Sequence, residues 1–360
     1  MREIVNVAII GAGPAGCAAA LAFRDSNLSV ALIDRAHFPR DKTCGDALPG
    51  RTFRYVNQLV PGSEGVFSGI DDKQVLSSSA VYAKGRKVLT KSWVLPAVNS
   101  PRLHFDNYLF ESVITHTNTR VYRGIRITDI ERFNGHFVLN DQSGKEVIQA
   151  ESVIIAVGAN ANLREQVLGR RVVTGNYGVA VSQYFEGVDI SEDQNHLFVP
   201  YRQKIPGYFW IFPLGQNQFN VGYGLLSKKK VSVSKMFEDI LHGDPHIAKH
   251  FNEAKALGKI RGHKLPFPSF SWPLTSDGAL IIGDAAELMD PLLGHGIDKA
   301  MLSGIIAVET LIDAFAQGDL SKESLGVYEE RIEKEVYPEI KSNARLLRIL
   351  YPIMRFVNLF

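Results

Sequence analysis

Four short runs of the chain are apolar without alternation: residues 5–10, 28–33, 151–157 and 279–282. Each is rich in Val, Ile or Leu, the pattern of strands buried on both faces of a parallel sheet. Between the first two lies an alanine-rich stretch, residues 17–24, which predicts a helix entered through a glycine turn. Other segments alternate apolar with polar positions, which predicts antiparallel strands with one covered face. Residues 74–90 are of this kind (Val75, Leu76, Ala80, Val81, Tyr82, Val88, Leu89), and 179–182, 196–199, 208–212 and 219–223 are strand-rich too. Residues 120–129, 132–140 and 146–149 predict a small meander, broken at Asn134-Gly135 and Ser143-Gly144. Helices are expected over 51–59, and from Arg102 through Val113 after the start signal Ser100-Pro101. Further helices are expected over 233–257, split at Gly243 and Pro245, and over 297–316. A last one runs from a Ser321 cap to Phe360, interrupted at Pro338.

Because the unalternating runs are separated by long alternating stretches, the expected fold is α/β. A Rossmann-type dinucleotide-binding domain carries an inserted antiparallel β-sheet substrate domain and a C-terminal helical segment. The expected boundaries are 1–60, 98–170 and 270–320 for the discontinuous cofactor domain, 61–97 and 171–269 for the substrate sheet, and 321–360 for the helical segment. A cofactor at the edge of one sheet, roofed by the other, leaves a cleft for a substrate.

Bulk properties narrow the picture modestly. The 360 residues suffice for two domains, and 45% apolar and 22% charged residues are ordinary for a globular protein. A net charge of +2 gives no case for a nucleic-acid partner. Two cysteines, Cys17 and Cys44, are too few for a disulfide framework or a zinc site, so a reducing compartment and no metal are expected. The first strand begins at once, leaving no room for a signal peptide, and no apolar run approaches the ~20 residues of a membrane span. A cytoplasmic location is expected, with membrane contact at the surface alone.

The chemistry is concentrated at strand ends. Gly11, Gly13 and Gly16 follow the first run, with Pro14 and Ala15 opening the helix, and Asp34-Arg35 closes the second run. Gly11 allows a tight turn, Gly13 lets a pyrophosphate approach the backbone, and Gly16 lets helix and strand pack closely. The helix start offers N–H donors, and Asp34 can accept from a ribose diol. A second signal is Gly283-Asp284 after the fourth run, followed by Gly294-His295-Gly296-Ile297 at a helix start. Asp284 suits a ribityl or ribose hydroxyl, and the glycine turn offers amides to the anionic edge of a reduced flavin. An ordinary strand–turn–helix would look the same.

Taken with Arg102 opening a helix that carries Phe105-Asp106 and Leu109, these motifs resemble the flavoprotein hydroxylase-like fold. Lys42-Thr-Cys44-Gly45-Asp46 and Gly207-Tyr208-Phe-Trp210-Ile-Phe-Pro213 are similar to motifs of the geranylgeranyl reductase family, the second to its Tyr-x-Trp-x-Phe-Pro signature. The resemblance spans roughly residues 4–335. It implies FAD bound by Gly11, Gly13, Pro14, Ala15, Gly16, Asp34, Arg35, Cys44, Gly45, Arg102, Ile125, Gly158, Gly283, Asp284, Gly294, Gly296 and Ile297. It also implies a hydrophobic tunnel over the flavin, with Cys44, Tyr208 and Trp210 as the catalytic set. The activity implied is reduction of carbon–carbon double bonds in a geranylgeranyl-type isoprenoid, with electrons from an external donor such as NAD(P)H or ferredoxin. Where related hydroxylases carry Gly-Ala-Asp-Gly, this chain has Gly158-Ala-Asn160-Ala161, and its C-terminal part is shorter than in many members.

Other readings stay open on the residues alone. The aromatics of 208–212 could be core. Cys44 could be an activated thiol, a weak acid or a small buried hydrophobe. Cys17 reads as core packing and Asp46 as a capping residue. His295 reads as structural and Lys228–Lys230 as a solvated turn. The segment from Ala344 mixes Leu346, Leu347, Ile349 and Leu350 with Arg345, Arg348 and Arg355, and could lie on a membrane or pack on the body. A flavin monooxygenase or halogenase shares the cofactor motifs, although halogenases usually show Trp-x-Trp-x-Ile-Pro. A flavin-binding redox module using Cys44, with no organic substrate, is the rival from another class. Metalloprotease, nucleoside-triphosphatase and α/β-hydrolase motifs do not occur.

Overall fold

The computed structural model describes residues 4–357, apart from 64–69, 71, 160–161, 173–176, 202–206 and 227–230. The Asn160-Ala161 departure, the Lys228–Lys230 turn and the last three residues lie outside the described residues.

Parallel pairing gathers the apolar runs into one eight-stranded sheet. Its path is Thr275–Ser276, Ala279–Ile281, Glu146–Ile155, Ile4–Ile10, Val30–Asp34 and Arg120–Arg123. Ile9 stands between Leu32 and Ile154 in register, and Leu280 faces Ile154 from the other side. Leu32, Ile9, Ile154 and Leu280 have no exposed surface, and each such side chain contributes about 1.5–3 kcal/mol relative to exposure. Ile127–Phe133 and His136–Asp141 form a hairpin that pairs antiparallel with the first half of Glu146–Ile155. The expected meander is present in these three strands, with its turns at Asn134-Gly135 and Ser143-Gly144, whereas Arg120–Arg123 pairs with Val30–Asp34 in the parallel sheet.

Helices cover this sheet. Pro14–Ala22 and Ile297–Gln317 pack closely, and a Cβ added at Gly304 would come within 2.6 Å of the Ala15 carbonyl oxygen. The alanine-rich face of the first helix permits that approach. Ile297–Gln317 is long and apolar enough to cross a membrane, yet most of it is buried in this core.

The second sheet also has eight strands, in the order Lys255–Pro266, Tyr177–Glu186, Gln218–Leu226, Gly207–Gly215, Asn195–Val199, Gln74–Ala83, Arg86–Asn99 and Ala47–Leu48. Only Asn195–Val199 with Gln74–Ala83 is parallel. One face packs beneath the helix Val233–Gly243, where Phe209, Phe219, Val221, Phe237 and Ile240 form a separate core. The other face looks toward the first sheet.

Two elements differ from expectation. The helix expected over 233–257 ends early, and Lys255–Pro266 is an edge strand on Tyr177–Glu186. Ala47–Leu48, within the span expected for the cofactor domain, pairs with the end of Arg86–Asn99 in the second sheet. Ser321 does cap Lys322–Glu335, accepting from the Ser324 amide. The chain breaks before Pro338, which sits in the first turn of the next helix, Tyr337–Val357, where a missing N–H costs nothing.

Candidate active site

The glycine turn is built for close approach. Gly11 has φ +108°, donates its amide to Ile33 at 2.7 Å, and has no room for a Cβ, which would lie 2.3 Å from the Ala156 carbonyl oxygen. A Cβ on Gly16 would sit 1.8 Å from the Gly11 carbonyl oxygen. Gly13 is different: its missing Cβ would meet nothing nearer than Arg40 at 3.8 Å, on the side of a large cavity. That space suits a ligand backbone or phosphate, and the helix start at Pro14 has no side-chain cap competing for it. Asp34 accepts from the Ala12 amide at 2.7 Å and the Ala36 amide at 2.8 Å, keeping lone pairs for a diol. The turn fits an adenine dinucleotide.

The second glycine segment closes the same cavity. Asp290 organises it: the Leu292 and Leu293 amides donate to its Oδ1 at 2.9 Å, and the Gly294 amide donates to its backbone oxygen at 2.9 Å. Gly294, with φ +70°, lies under Tyr208, whose hydroxyl oxygen would be 3.3 Å from a Cβ there. Asp284 stands 3.6 Å from the Lys42 ammonium. Arg102 is buried, and its fork donates to Asp106 at 2.6 and 2.8 Å, with Arg40 3.0 Å from the same carboxylate. Burial alone would depress the Arg102 pKa, but Asp106 and the Cys44 sulfur beside it push it up. Its charge is thus held by protein partners as it faces the cavity.

Of the expected cofactor residues, Gly11, Gly13, Pro14, Ala15, Asp34 and Arg35 line this cavity, as do Cys44, Gly45, Arg102, Ile125 and Gly158. Asp284, Gly294, Gly296 and Ile297 line it too. Gly16 and Gly283 do not. They are packing glycines: a Cβ on Gly283 would press on Ala15 at 3.0 Å and Ala300 at 3.3 Å, and its amide donates to Ser303.

Along Gly207–Gly215 the strand period divides the aromatics. Phe209 and Ile211 join the separate core, whereas Tyr208, Trp210 and Phe212 line the cavity. Trp210 lies in a slot that exists because residue 222 is glycine; a Cβ there would be 2.2 Å from the indole ring. The Tyr208 hydroxyl donates to the Leu293 carbonyl at 2.7 Å, joining the strand to the glycine loop.

Asn220, absent from the sequence reading, is the hub of the reactive end. It accepts from the Trp210 indole at 2.9 Å and donates to the Cys44 carbonyl at 2.8 Å and to Asp46 at 2.7 Å. Tyr184 also donates to Asp46, at 2.8 Å. Asp46 has φ +62° and no exposure, and its other oxygen accepts from the Arg102 amide at 3.2 Å, so it does cap that helix. Burial pushes its carboxyl up to about 7, against the hydrogen bonds of Tyr184 and Asn220 and the charge of Arg102. No periodicity or motif singles out Asn220 or Tyr184; each is a polar residue in a strand, and Cys44 and Asp46, which they meet, are 138 to 176 positions away in sequence. His263, on the unexpected edge strand, also faces the cavity, and burial lowers its pKa.

Three further features have a definite place in the structure. Cys17 is fully buried and its thiol donates to the Ala12 carbonyl, as core packing requires; Cys17 and Cys44 are both free. Asp290, His295 and Glu339 bring ligand atoms within 4.8 Å of one another. Lys299 already supplies the cation there, 3.3 Å from His295 and 3.2 Å from Glu339. Leu346 and Leu347 of the C-terminal helix line the cavity mouth, while Ile349 is exposed.

The cavity has a volume of about 1650 Å³ and is lined from both sheets. It combines a dinucleotide turn with a flavin-type glycine loop, and apolar side chains make up much of its wall. A family profile described as pyridine nucleotide-disulphide oxidoreductase matches residues 5–199. The chain is 31% identical over 325 residues to a menaquinone reductase of Mycobacterium tuberculosis, covering 86% of this chain and 77% of that one. It is 28% identical over 361 residues to the digeranylgeranylglycerophospholipid reductase of Methanocaldococcus jannaschii, covering 97% and 88%. Among solved structures, a geranylgeranyl bacteriochlorophyll reductase-like protein of Thermoplasma acidophilum superimposes with a TM-score of 0.82 at 19% identity, covering 100% of this chain and 89% of that one. Halogenase PltM follows the same fold, with a TM-score of 0.78 at 15% identity, covering 98% and 78%. The chain belongs to the pyridine nucleotide-disulphide oxidoreductase family of FAD-dependent enzymes, and relatives of geranylgeranyl reductase type match it over nearly its whole length.

Proposed function

We propose that the protein reduces carbon–carbon double bonds in the isoprenoid chain of a lipid or quinone. The observation that carries this reading is the cavity. At about 1650 Å³ it exceeds the ~300–1,000 Å³ of an ordinary small-ligand pocket, so it has room for a cofactor and a long second ligand. Apolar side chains in its wall include Leu197, Val199, Leu265, Phe267 and Leu347. Menaquinone and digeranylgeranylglycerophospholipid, the molecules named for the relatives, share a polyprenyl chain.

Reduced FAD, when bound, supplies a hydride for one alkene carbon. The chain's own task is to hold the alkene, exclude water and deliver a proton to the other carbon. Trp210 and Tyr208 shape the wall. The Tyr208 proton is committed to Leu293, which leaves Cys44, beside Arg102, as the proton donor we assign. Gly13 and Asp34 hold the adenosine end, and Asp284 with Gly294–Gly296 the flavin end. An external donor, NAD(P)H or a ferredoxin, would recharge the cofactor. We place the protein in the cytoplasm, with the arginine-bearing C-terminal helix as its contact with a lipid surface.

The test is an anaerobic turnover. Protein carrying FAD is reduced with dithionite and given menaquinone or digeranylgeranylglycerophospholipid, and the products are weighed by mass spectrometry. A gain of two hydrogens per reduced double bond is expected in the prenyl chain. Unchanged mass with both substrates, together with oxygen-dependent hydroxylation or halogenation of another compound, would exclude the reductase reading.

A further inference from the structure

The mouth of the cavity is apolar. Among the described residues, five large apolar side chains both line the cavity and stand exposed: Leu89, Val94, Leu95, Leu293 and Leu346. A residue that does both marks the opening. Three of them lie on the strand Arg86–Asn99, where Val94 is wholly exposed, at 100%. Leu346 lies on the C-terminal helix. Strand and helix meet through the start of the helix Gly50–Leu59. A Cβ added at Gly50 would come within 2.6 Å of Leu95, and Arg51 pairs with Glu339 of the C-terminal helix. Val88 and Ile349, also exposed, extend the apolar surface along the same two elements. Exposed apolar side chains gathered on adjoining elements mark an interaction surface.

Charge narrows what covers it. No acidic residue occurs between Asp72 and Asp106, while Lys84, Arg86, Lys87 and Lys91 are all exposed. Arg54, Arg345 and Arg348 add exposed cations on the two helices. Lys91 lies 5.1 Å from the centre of the Trp93 ring, the pairing of cation and amphipathic aromatic that suits a headgroup layer. The strand pairs with Gln74–Ala83 on one side, and Ala47–Leu48 covers only Val98 and Asn99 on the other. Lysines along such an edge oppose the addition of a strand from a second copy. An acidic protein partner would match the cations but not the apolar rim.

We propose that this face docks on an anionic lipid bilayer, so that a prenyl chain passes from the membrane interior into the cavity without crossing water. The passage rests on the reading of the cavity as a prenyl-chain site; the contact itself rests on the rim and its cations. Apolar side chains at the mouth enter the headgroup layer, and the surrounding cations meet lipid phosphates. A long prenyl chain gains by this, because every methylene exposed to water costs free energy.

The test is vesicle binding by the full chain, with FAD bound and no substrate present. Vesicles of equal parts phosphatidylcholine and phosphatidylglycerol should float the protein in a density gradient. Pure phosphatidylcholine should float far less, and raised salt should release it. Trp210 and Trp272 are buried whereas Trp93 is half-buried, so brominated acyl chains should quench wild type and spare Trp93→Phe. Val94→Asp should weaken vesicle binding at least about tenfold. Lys87→Glu combined with Lys91→Glu should weaken it at least about twentyfold. Val327→Asp, at an exposed site on the helix Lys322–Glu335, should bind as wild type does. Unchanged melting temperatures show that the variants are folded. Failure to bind anionic vesicles, or wild-type binding by the Val94 and lysine variants, overturns the docking face alone. So does a dimer dispersed by Val94→Asp, or capture of an acidic ferredoxin by a protein that ignores vesicles. Vesicle binding with no hydrogenated product from detergent-dispersed substrate overturns the reductase reading and the prenyl passage, and leaves the bilayer contact standing.

Discussion

Gly13 and Gly16 carry the same side chain for different reasons, and substitution should separate them. Gly16→Ala drives a methyl into the Gly11 carbonyl, 1.8 Å away, and should cost about 3 kcal/mol or more by urea denaturation. Gly13→Ala meets no protein atom within 3.8 Å. It should leave the unliganded protein's stability unchanged and weaken FAD at least about tenfold, or ~1.4 kcal/mol, by titration calorimetry. Asp46 makes a prediction with a definite sign. Its pKa is raised from 3.8 to about 7 on folding, so its favourable contribution is complete below the unfolded value and is lost as pH rises through the folded one. Between those limits wild type should lose stability relative to Asp46→Asn by on the order of 4 kcal/mol, read from urea midpoints at stepped pH. Of these residues the glycines were legible in the sequence, since their spacing states a turn. Asp46 was legible only as a cap, because its burial comes from Tyr184 and Asn220, brought in by distant strands.

At the scale of elements, the apolar runs formed strands as their composition requires, whereas Lys255–Pro266 was invisible. It is an edge strand, largely exposed, with Gly258 and Gly262, three lysines and one arginine. Such an edge shows neither alternation nor apolar content, and only pairing with Tyr177–Glu186 makes it a strand. Arg120–Arg123 likewise had the alternation of a meander and was recruited by the parallel sheet. The C-terminal helix is tied in by charge: Glu339 meets Arg51 at 2.6 Å and Lys299 at 3.2 Å, and Lys299 is almost fully buried. Glu339→Ala would leave that ammonium with Asp298 at 3.5 Å as its carboxylate partner. A loss of about 1–3 kcal/mol is expected, measured by thermal unfolding, with Glu339→Gln losing less.

At the scale of the molecule, the two sheets have separate cores and meet across the cavity. A ligand there bridges them. FAD at a hundredfold excess over its Kd should stabilise the protein by about 2.7 kcal/mol, and removing it should lower the melting temperature accordingly. Leu347, on the cavity wall, offers a complementary test. Leu347→Asp puts a charge against an apolar ligand, and should weaken prenyl-substrate binding while leaving FAD affinity unchanged. Equal loss of both ligands would show that the helix, and not the wall, had been disturbed.

The sequence by itself determined the parallel sheet, the glycine turn with its acidic strand end, and the Tyr208–Pro213 signature. Each is a local pattern whose physics needs only neighbours along the chain: unbroken apolar runs, a turn that excludes a Cβ, a period of two. The tertiary structure decided what those patterns face. It separated lining glycines from packing glycines, assigned Lys299 to the acidic cluster, turned a polar stretch into an edge strand, and set Asn220, Tyr184 and Asp46 behind Cys44. Those arrangements depend on burial and on pairing across more than a hundred residues, which no local pattern encodes.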